Sequence, residues 1–315
     1  MAADMKSVGL FQFHRFLLSP ERQVKILTEN YNKVKQLLWI ILFANLTVAV
    51  MKILVGTMIK STSMVADGFH SITDGSSNIA GLIGVHFASQ PIDQDHPYGH
   101  GKFEMMAGLF IAGMLFVISG KIIMAAINRF INPVMPDITL ESLLVLLLTL
   151  CINIFISNFE YRKGKALNSQ ILISDSMHTK SDIYVSAGVL LTLICIKSGL
   201  PPIIDPITSL IVAGLIIYTA YEILCANGGI LLDKAVVDPS TIRKIVLSFE
   251  KVKDAHNIRS RGSKSDMHID MHIMTEPELS VEECHELIHN IEKKIRNEIN
   301  QNIQVIAHME PLKNE

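Results

Sequence analysis

The chain has 315 residues, 49% of them hydrophobic, and a formal net charge of −2. Its mean hydropathy of +0.36 is too high for an ordinary water-soluble globular protein. No basic face dominates, which excludes nucleic acid as a partner. The four cysteines, Cys151, Cys195, Cys225 and Cys284, form no CxxC pair, and three of them sit in apolar runs. They read as small buried hydrophobes rather than as metal ligands or disulfides.

Residues 1–35 are mixed and rich in cations (Lys6, Arg15, Arg22, Lys25, Lys33, Lys35) and read as a cytosolic lead-in. The short apolar patch there is broken by His14 and Arg15, so no cleaved signal peptide is expected. A bilayer span takes about 20 mostly apolar residues. Six stretches meet that need: 36–59, 63–88, 103–127, 138–159, 169–197 and 203–225. The lead-in cations, Lys102 and the run Arg162, Lys163, Lys165 then fall in alternate loops, which places both termini in the cytosol. The expected architecture is an α-helical membrane protein with six transmembrane helices over residues 36–230.

After Leu231 charge rises and the pattern becomes that of a small soluble domain, residues 231–315. Residues 239–251 read as a helix, and Met267–Met274 alternates strictly between apolar and polar, as a half-buried strand does. Ser280 and Glu283 form a capping box at the start of an amphipathic helix. With strands near His256–Arg261 and Ile303–Met309 the order is α-β-β-α-β, a small α+β domain with an open sheet.

Polar residues inside the spans carry the chemistry. The second span contains Asp67, His70 and Asp74, and the fifth contains His178 and Asp182. In both, an Asp follows a His by four residues, which puts the two side chains on one face of a helix. Ionisable groups near a bilayer centre cost about 2.5–3.5 kcal/mol each on the insertion scale. A divalent cation held by two carboxylates and two neutral imidazoles satisfies all four at once. That donor set suits Zn²⁺ best and admits Fe²⁺, Cd²⁺ and Co²⁺. The alternative is a helix–helix hydrogen-bond network without metal. Asp67 is expected to support His70 rather than ligate.

Two further clusters stand outside the spans. Asp93, His96 and His100 crowd the loop PIDQDHPYGHGKFE and either converge on an ion or form a solvated polar turn. In the C-terminal domain His256, His268, His272, His285, His289, His308 and Glu310 are numerous for so small a unit, and a binuclear metal site on the sheet is expected. His268 and His289 read as exposed neighbours of that site. Lys52, inside the first span, is not explained by this chemistry; it either snorkels to the membrane surface or pairs with a carboxylate.

These residues also carry a resemblance. HSITD in the second span, DHPYGHGKFE in the loop, HTKSD in the fifth span, DP at the sixth and a closing VIAHMEP stand in this order between residues 36 and 312. The chain resembles the cation diffusion facilitator family of divalent-metal transporters, most closely bacterial members that take zinc or iron. The resemblance implies a transport site of His70, Asp74, His178 and Asp182, a loop site of Asp93, His96 and His100, and a cytosolic binuclear site of His256, His272, His285, His308 and Glu310. Glu310 stands where some relatives carry Asp. The resemblance further implies a homodimer in which Lys102 and Asp233 form a charge pair. A solvated lysine and a helix-end aspartate are the plainer account of those two.

The function expected is efflux of Zn²⁺ or a similar ion from the cytosol in exchange for protons, in a bacterial inner membrane. An intramembrane metal-dependent hydrolase and a membrane metal sensor without flux are the rival readings. Four protein ligands leave no open position for a catalytic water, and none of the six spans holds an HExxH, which weighs against the intramembrane hydrolase.

Overall fold

A computed structural model describes residues 20–58, 62–132, 140–201, 203–264, 266–300 and 302–312. Six long helices come first: α1 (Pro20–Met58), α2 (Thr62–Ala88), α3 (Lys102–Ile131), α4 (Leu140–Leu167), α5 (Gln170–Lys197) and α6 (Ile204–Leu231). They are followed by α7 (Pro239–Val246), β1 (Val252–Ser263), β2 (Asp266–Thr275), α8 (Val281–Glu298) and β3 (Ile303–Pro311). The chain divides into two compact units, Leu27–Gly228 and Gly229–Glu315, the latter taking in the residues up to Ile26.

The helical unit is apolar outside as well as inside. Trp39, Phe43, Phe110, Val117, Phe155 and Tyr218 are all exposed. Side chains of that size and number face hydrocarbon rather than water. Among the described residues four segments are long and apolar enough to cross a membrane: Asn30–Leu54, Lys102–Ile131, Gln170–Ile196 and Ile204–Leu231. The sequence reading expected six. The other two helices are of similar length, but α2 carries Asp67, His70, Asp74 and a run of Gly, Ser and Asn, and α4 ends in Glu160, Arg162, Lys163 and Lys165.

The cysteines correct a second expectation. Cys151 and Cys225 are exposed, and Cys195 and Cys284 are half-buried. The apolar runs that suggested burial in a core are surfaces suited to lipid, where a small hydrophobe is equally at home.

Inside the bundle, Leu38, Ile111, Leu115, Ile171, Ile216 and Ile223 are fully buried. Close approach between helices depends on small residues. A Cβ on Gly84 would lie 2.5 Å from the Ala107 Cβ, joining α2 to α3. A Cβ on Gly108 would lie 2.6 Å from the Asn227 amide, joining α3 to α6. The entry to α5 is a sharp turn through Asn168, at φ 53°, into the N-cap Ser169. Glu104, buried at the start of α3, completes that cap by accepting from the Ser169 hydroxyl and from the Ile171 N–H at 3.0 Å. A carboxylate on a helix N-terminus answers both its free N–H groups and its dipole.

The second unit has the expected α-β-β-α-β order. Its sheet runs β1-β2-β3, with β1 and β2 antiparallel and β2 and β3 parallel. Asp238 caps α7, with Pro239 at its first position. Met267, Ile269, Met271 and Ile273 on one face of β2 pack with Ile242 and Val246 of α7 and Leu287, Ile291 and Ile295 of α8. The other face of β2, with His268, Asp270 and His272, stays outside this core.

Candidate metal centres

α5 places His178 and Asp182 one turn apart in the helical unit. His178 is buried, at 2% exposure, whereas Asp182 lines a cavity of about 800 Å³. Asn45 and Lys52 of α1, Ser71 of α2, Lys121 of α3 and Asn153 of α4 line the same cavity. His70, Asp74 and Asp67 lie on α2, in a part whose side chains are outside the described residues.

The lining residues come from all of α1 to α5, with Asp182, Val185 and Ser186 near the middle of α5. On the other side of His178, toward the N-terminus of α5, the polar groups are shut in. The Asn45 amide donates to Asn78 Oδ1 at 3.1 Å, and the Asn78 amide in turn donates to Asp175 Oδ2. The Thr179 hydroxyl lies 3.3 Å from Glu160 Oε2 and 3.2 Å from the Asp175 carbonyl. Asn227 donates to Ser174 Oγ at 3.0 Å. Glu160 and Asp175 are 0% and 1% exposed, and each keeps one carboxylate oxygen without a hydrogen-bond partner.

This layer of Asn78, Glu160, Asp175 and Asn227 was not singled out from the sequence. Glu160 sits in NFEYRKGK, which looks like a charged helix end. Asp175 sits three residues before His178 and was overshadowed by the HxxxD pattern. An acidic residue aligned with the inner face of its helix was the available signal.

The loop between α2 and α3 gathers Asp93, His96 and His100. One donor atom from each lies within 4.8 Å of the others. His96 Nδ1 is 3.2 Å from Asp93 Oδ1, and His100 Nε2 is 3.4 Å from Asp93 Oδ2. The edge of a tetrahedron with zinc–nitrogen bonds is about 3.3 Å, so these spacings suit such an ion. The His96 backbone N–H donates to Asp93 at 2.7 Å and holds its carboxyl below the usual range, against a smaller opposing effect of burial. His100 is buried, and its Nδ1 has no hydrogen-bond partner. His96 and Asp93 are exposed.

In the sheet, strand register does the gathering. His256 of β1 pairs with His272 of β2, which pairs with His308 of β3, so three histidines form one row. Their rings are 5.3 and 4.9 Å apart. Glu310 spans the row. Its Oε1 is 2.7 Å from His272 Nδ1, its Oε2 is 3.3 Å from His256 Nε2, and His308 Nε2 is 4.0 Å from Oε1. One donor atom each from His272, His256 and Glu310 likewise lies within 4.8 Å of the others. The contact with His272 is the main reason the Glu310 carboxyl titrates below its usual range. The register shift after His256, with Asn257 at φ 50°, re-aims β1 at this point, as bulges do beside functional sites.

The remaining sequence candidates have the following neighbours. His285 pairs with His289, rings 4.5 Å apart, one turn on along α8. His268 lies 3.2 Å from Asp266. Lys102 opens α3 in the helical unit, and Asp233 follows α6 in the other unit, 4.0 Å from Arg261.

Comparison with known proteins matches these two units to two domains. Residues 38–232 match the cation efflux transmembrane domain and residues 237–312 the cation efflux protein cytoplasmic domain. Transporter MJ0449 of Methanocaldococcus jannaschii, which is uncharacterized, is 31% identical over 81% of this chain and 90% of its own length. Manganese efflux system protein MneP of Bacillus subtilis is 29% identical over 86% and 94%. Cation-efflux pump FieF of Shewanella oneidensis is 26% identical over 85% and 90%. Helices suited to a bilayer, ligand clusters in both units and matches over most of the length lead to one conclusion: the chain belongs to the cation efflux, or cation diffusion facilitator, family of divalent-metal secondary transporters, and is not an enzyme.

Proposed function

We propose that the protein exports Zn²⁺ from the cytosol in exchange for protons, with His70, Asp74, His178 and Asp182 as the transport site. The observation that carries this reading is the one-sided access to α5. Asp182 is reached from the cavity, whereas Asp175 and Glu160 are sealed on the opposite side. A carrier holding its ion between helices opens to one side at a time, and this arrangement is one such state. All six long helices cross the membrane in this reading, with both termini in the cytosol of a bacterium.

The choice of zinc rests on His70 and His178 being imidazoles rather than carboxylates. Fe²⁺, Cd²⁺ and Co²⁺ remain ions that the donor set admits, and MneP shows by its name that a relative moves manganese. Exchange for protons follows from competition, because imidazole must be neutral to bind metal and its unperturbed pKa is about 6.5. Residues 231–315 then serve as a metal-binding and dimerisation domain, with the loop cluster as an accessory site. His256, His272 and Glu310, with His308 beside them, hold regulatory metal there, and their donor spacings fit it. Lys102 and Asp233 pair within the homodimer interface.

Metal flux into proteoliposomes, measured for a panel of divalent ions with and without an imposed pH gradient, tests the reading. Zinc should move fastest, the gradient should drive it, and Asp182→Ala should abolish it. Manganese flux exceeding zinc flux would overturn the assignment of the cargo. Zinc flux indifferent to the gradient would overturn the exchange.

A further inference from the structure

Lys52 is the residue that the transport chemistry leaves unexplained. It sits on α1, six residues before the helix ends at Met58. A lysine in an apolar span is costly and ordinarily snorkels toward the nearer membrane surface. Here the side chain is half-buried, and its ammonium donates to Ser71 Oγ on α2 at 3.0 Å. Ser71 directly follows His70. Lys52, Ser71 and Asp182 all line the same cavity.

Cations and a carboxylate meet among the described residues of that cavity. Among its described lining residues Asp182 is the one carboxylate, and Lys52 and Lys121 are the two cations. A carboxylate in a low-dielectric site is costly without a compensating charge or a proton, also in the state in which the metal has left. A tethered ammonium supplies that charge without an ion from solution. It cannot share the site with a divalent cation, because the two repel. The lysine stem is flexible, and a cavity of about 800 Å³ gives it room to swing aside.

We propose that Lys52 is a resident counter-cation of the transport site: its ammonium offsets Asp182 when no metal is bound, and an incoming divalent cation displaces it. The inference rests on the reading of Asp182 as part of the transport site. Two consequences follow. Lys52 weakens metal binding by competition, and it speeds release by returning as the ion leaves.

The test is zinc flux into proteoliposomes containing full-length protein, for the wild type, Lys52→Gln, Lys52→Met, Lys52→Arg and Ser71→Ala. Removing the charge should lower the half-saturating zinc concentration at least about fivefold and reduce the maximal rate. Lys52→Arg, which keeps a cation, should stay close to the wild type. A merely structural lysine predicts otherwise: Lys52→Gln and Ser71→Ala would then both leave the half-saturating concentration unchanged or raise it, and that outcome overturns the proposal. Lys52→Met keeps the stem without the charge and decides the matter if Lys52→Gln does not insert. No zinc flux in the wild type would sink the transport reading and this inference with it. Normal wild-type flux with unaltered saturation in the neutral variants sinks the inference alone.

Discussion

Glu310 shows how much one side chain organises. Its two oxygens face His272 and His256, and His308 stands 4.0 Å away. Replacing it by Gln keeps the shape but removes the charge. Zinc binding by the cytoplasmic sheet should weaken by more than about tenfold, whereas the same change at His289, which pairs only along α8, should leave that binding unaltered. Calorimetric zinc titration of the full-length protein, with Asp93 and Asp182 replaced by Ala to silence the other clusters, reads this directly. The pH dependence has a definite sign. The Glu310 carboxyl is held below its usual range by His272, so it stays ionised through mild acid. Loss of metal as the pH falls is then set by protonation of the histidines, which bind metal only when neutral. The same titration at pH 7.5, 6.5 and 5.5 should show affinity falling steadily, and constant affinity down to pH 5.5 would contradict it. Much of this centre was legible, because histidines alternating on a strand must share a face. That His256, His272 and His308 form a row was not legible, since register is a property of strand pairing. Nor was the ring contact of His285 with His289 along α8. Glu160 and Asp175 stayed hidden for a similar reason: a buried carboxylate is recognisable only once its packing partners, here Thr179 and Asn78, are known.

Elements obey more local rules, and here the sequence was clearer. Ser280 and Glu283 form the capping box of α8, each side chain accepting from the other's backbone N–H. The Ser280 backbone N–H is the main reason the Glu283 carboxyl is pulled down to about 2, with Lys251 adding to it. A carboxyl lowered in the folded state stabilises fully above its unfolded value, near 4.3, and loses that contribution as the pH falls through the folded value. Glu283→Gln should therefore lower the thermal midpoint of the cytoplasmic unit at pH 7. The gap from the wild type should close between about pH 4.3 and about 2. Ser280→Ala should cost about 1 kcal/mol at pH 7 through the lost cap, and less as Glu283, to which its hydroxyl also donates, becomes protonated. Differential scanning fluorimetry across that range checks both, and an unchanged gap at low pH would refute the assignment. Helix contacts in the membrane unit are less legible, because glycine marks many things. At Gly108 the meaning is steric, since a Cβ would lie 2.6 Å from Asn227. Gly108→Ala should push Asn227 off Ser174 and destabilise the α3–α6 contact by about 1–3 kcal/mol, measurable as a lower melting point in detergent.

Within the helical unit, α5 has an open part and a closed part. Asp182, Val185 and Ser186 line the open cavity, while Ser174, Asp175 and Ser176, two to three turns back along α5, are shut in. The sequence could place His178 and Asp182 on α5 but not say which side they open to, because access depends on how the neighbouring helices close around that helix. Thiol accessibility makes the asymmetry measurable. In a background with Cys151, Cys195, Cys225 and Cys284 replaced by Ala, Ser186→Cys and Ser176→Cys report the two sides of His178. In sealed vesicles without metal, a membrane-impermeant thiol reagent should label Ser186→Cys from one side of the membrane only. Ser176→Cys, at 2% exposure in the wild type, should resist the reagent from that side. A working carrier must also visit the opposite state, so Ser176→Cys should become reactive slowly from the other side, at a rate that zinc alters. Fast labelling of both positions from the same side would mean a continuous channel. The buried Glu160–Thr179–Asp175 layer would then be no barrier, and the account of one-sided access would fail.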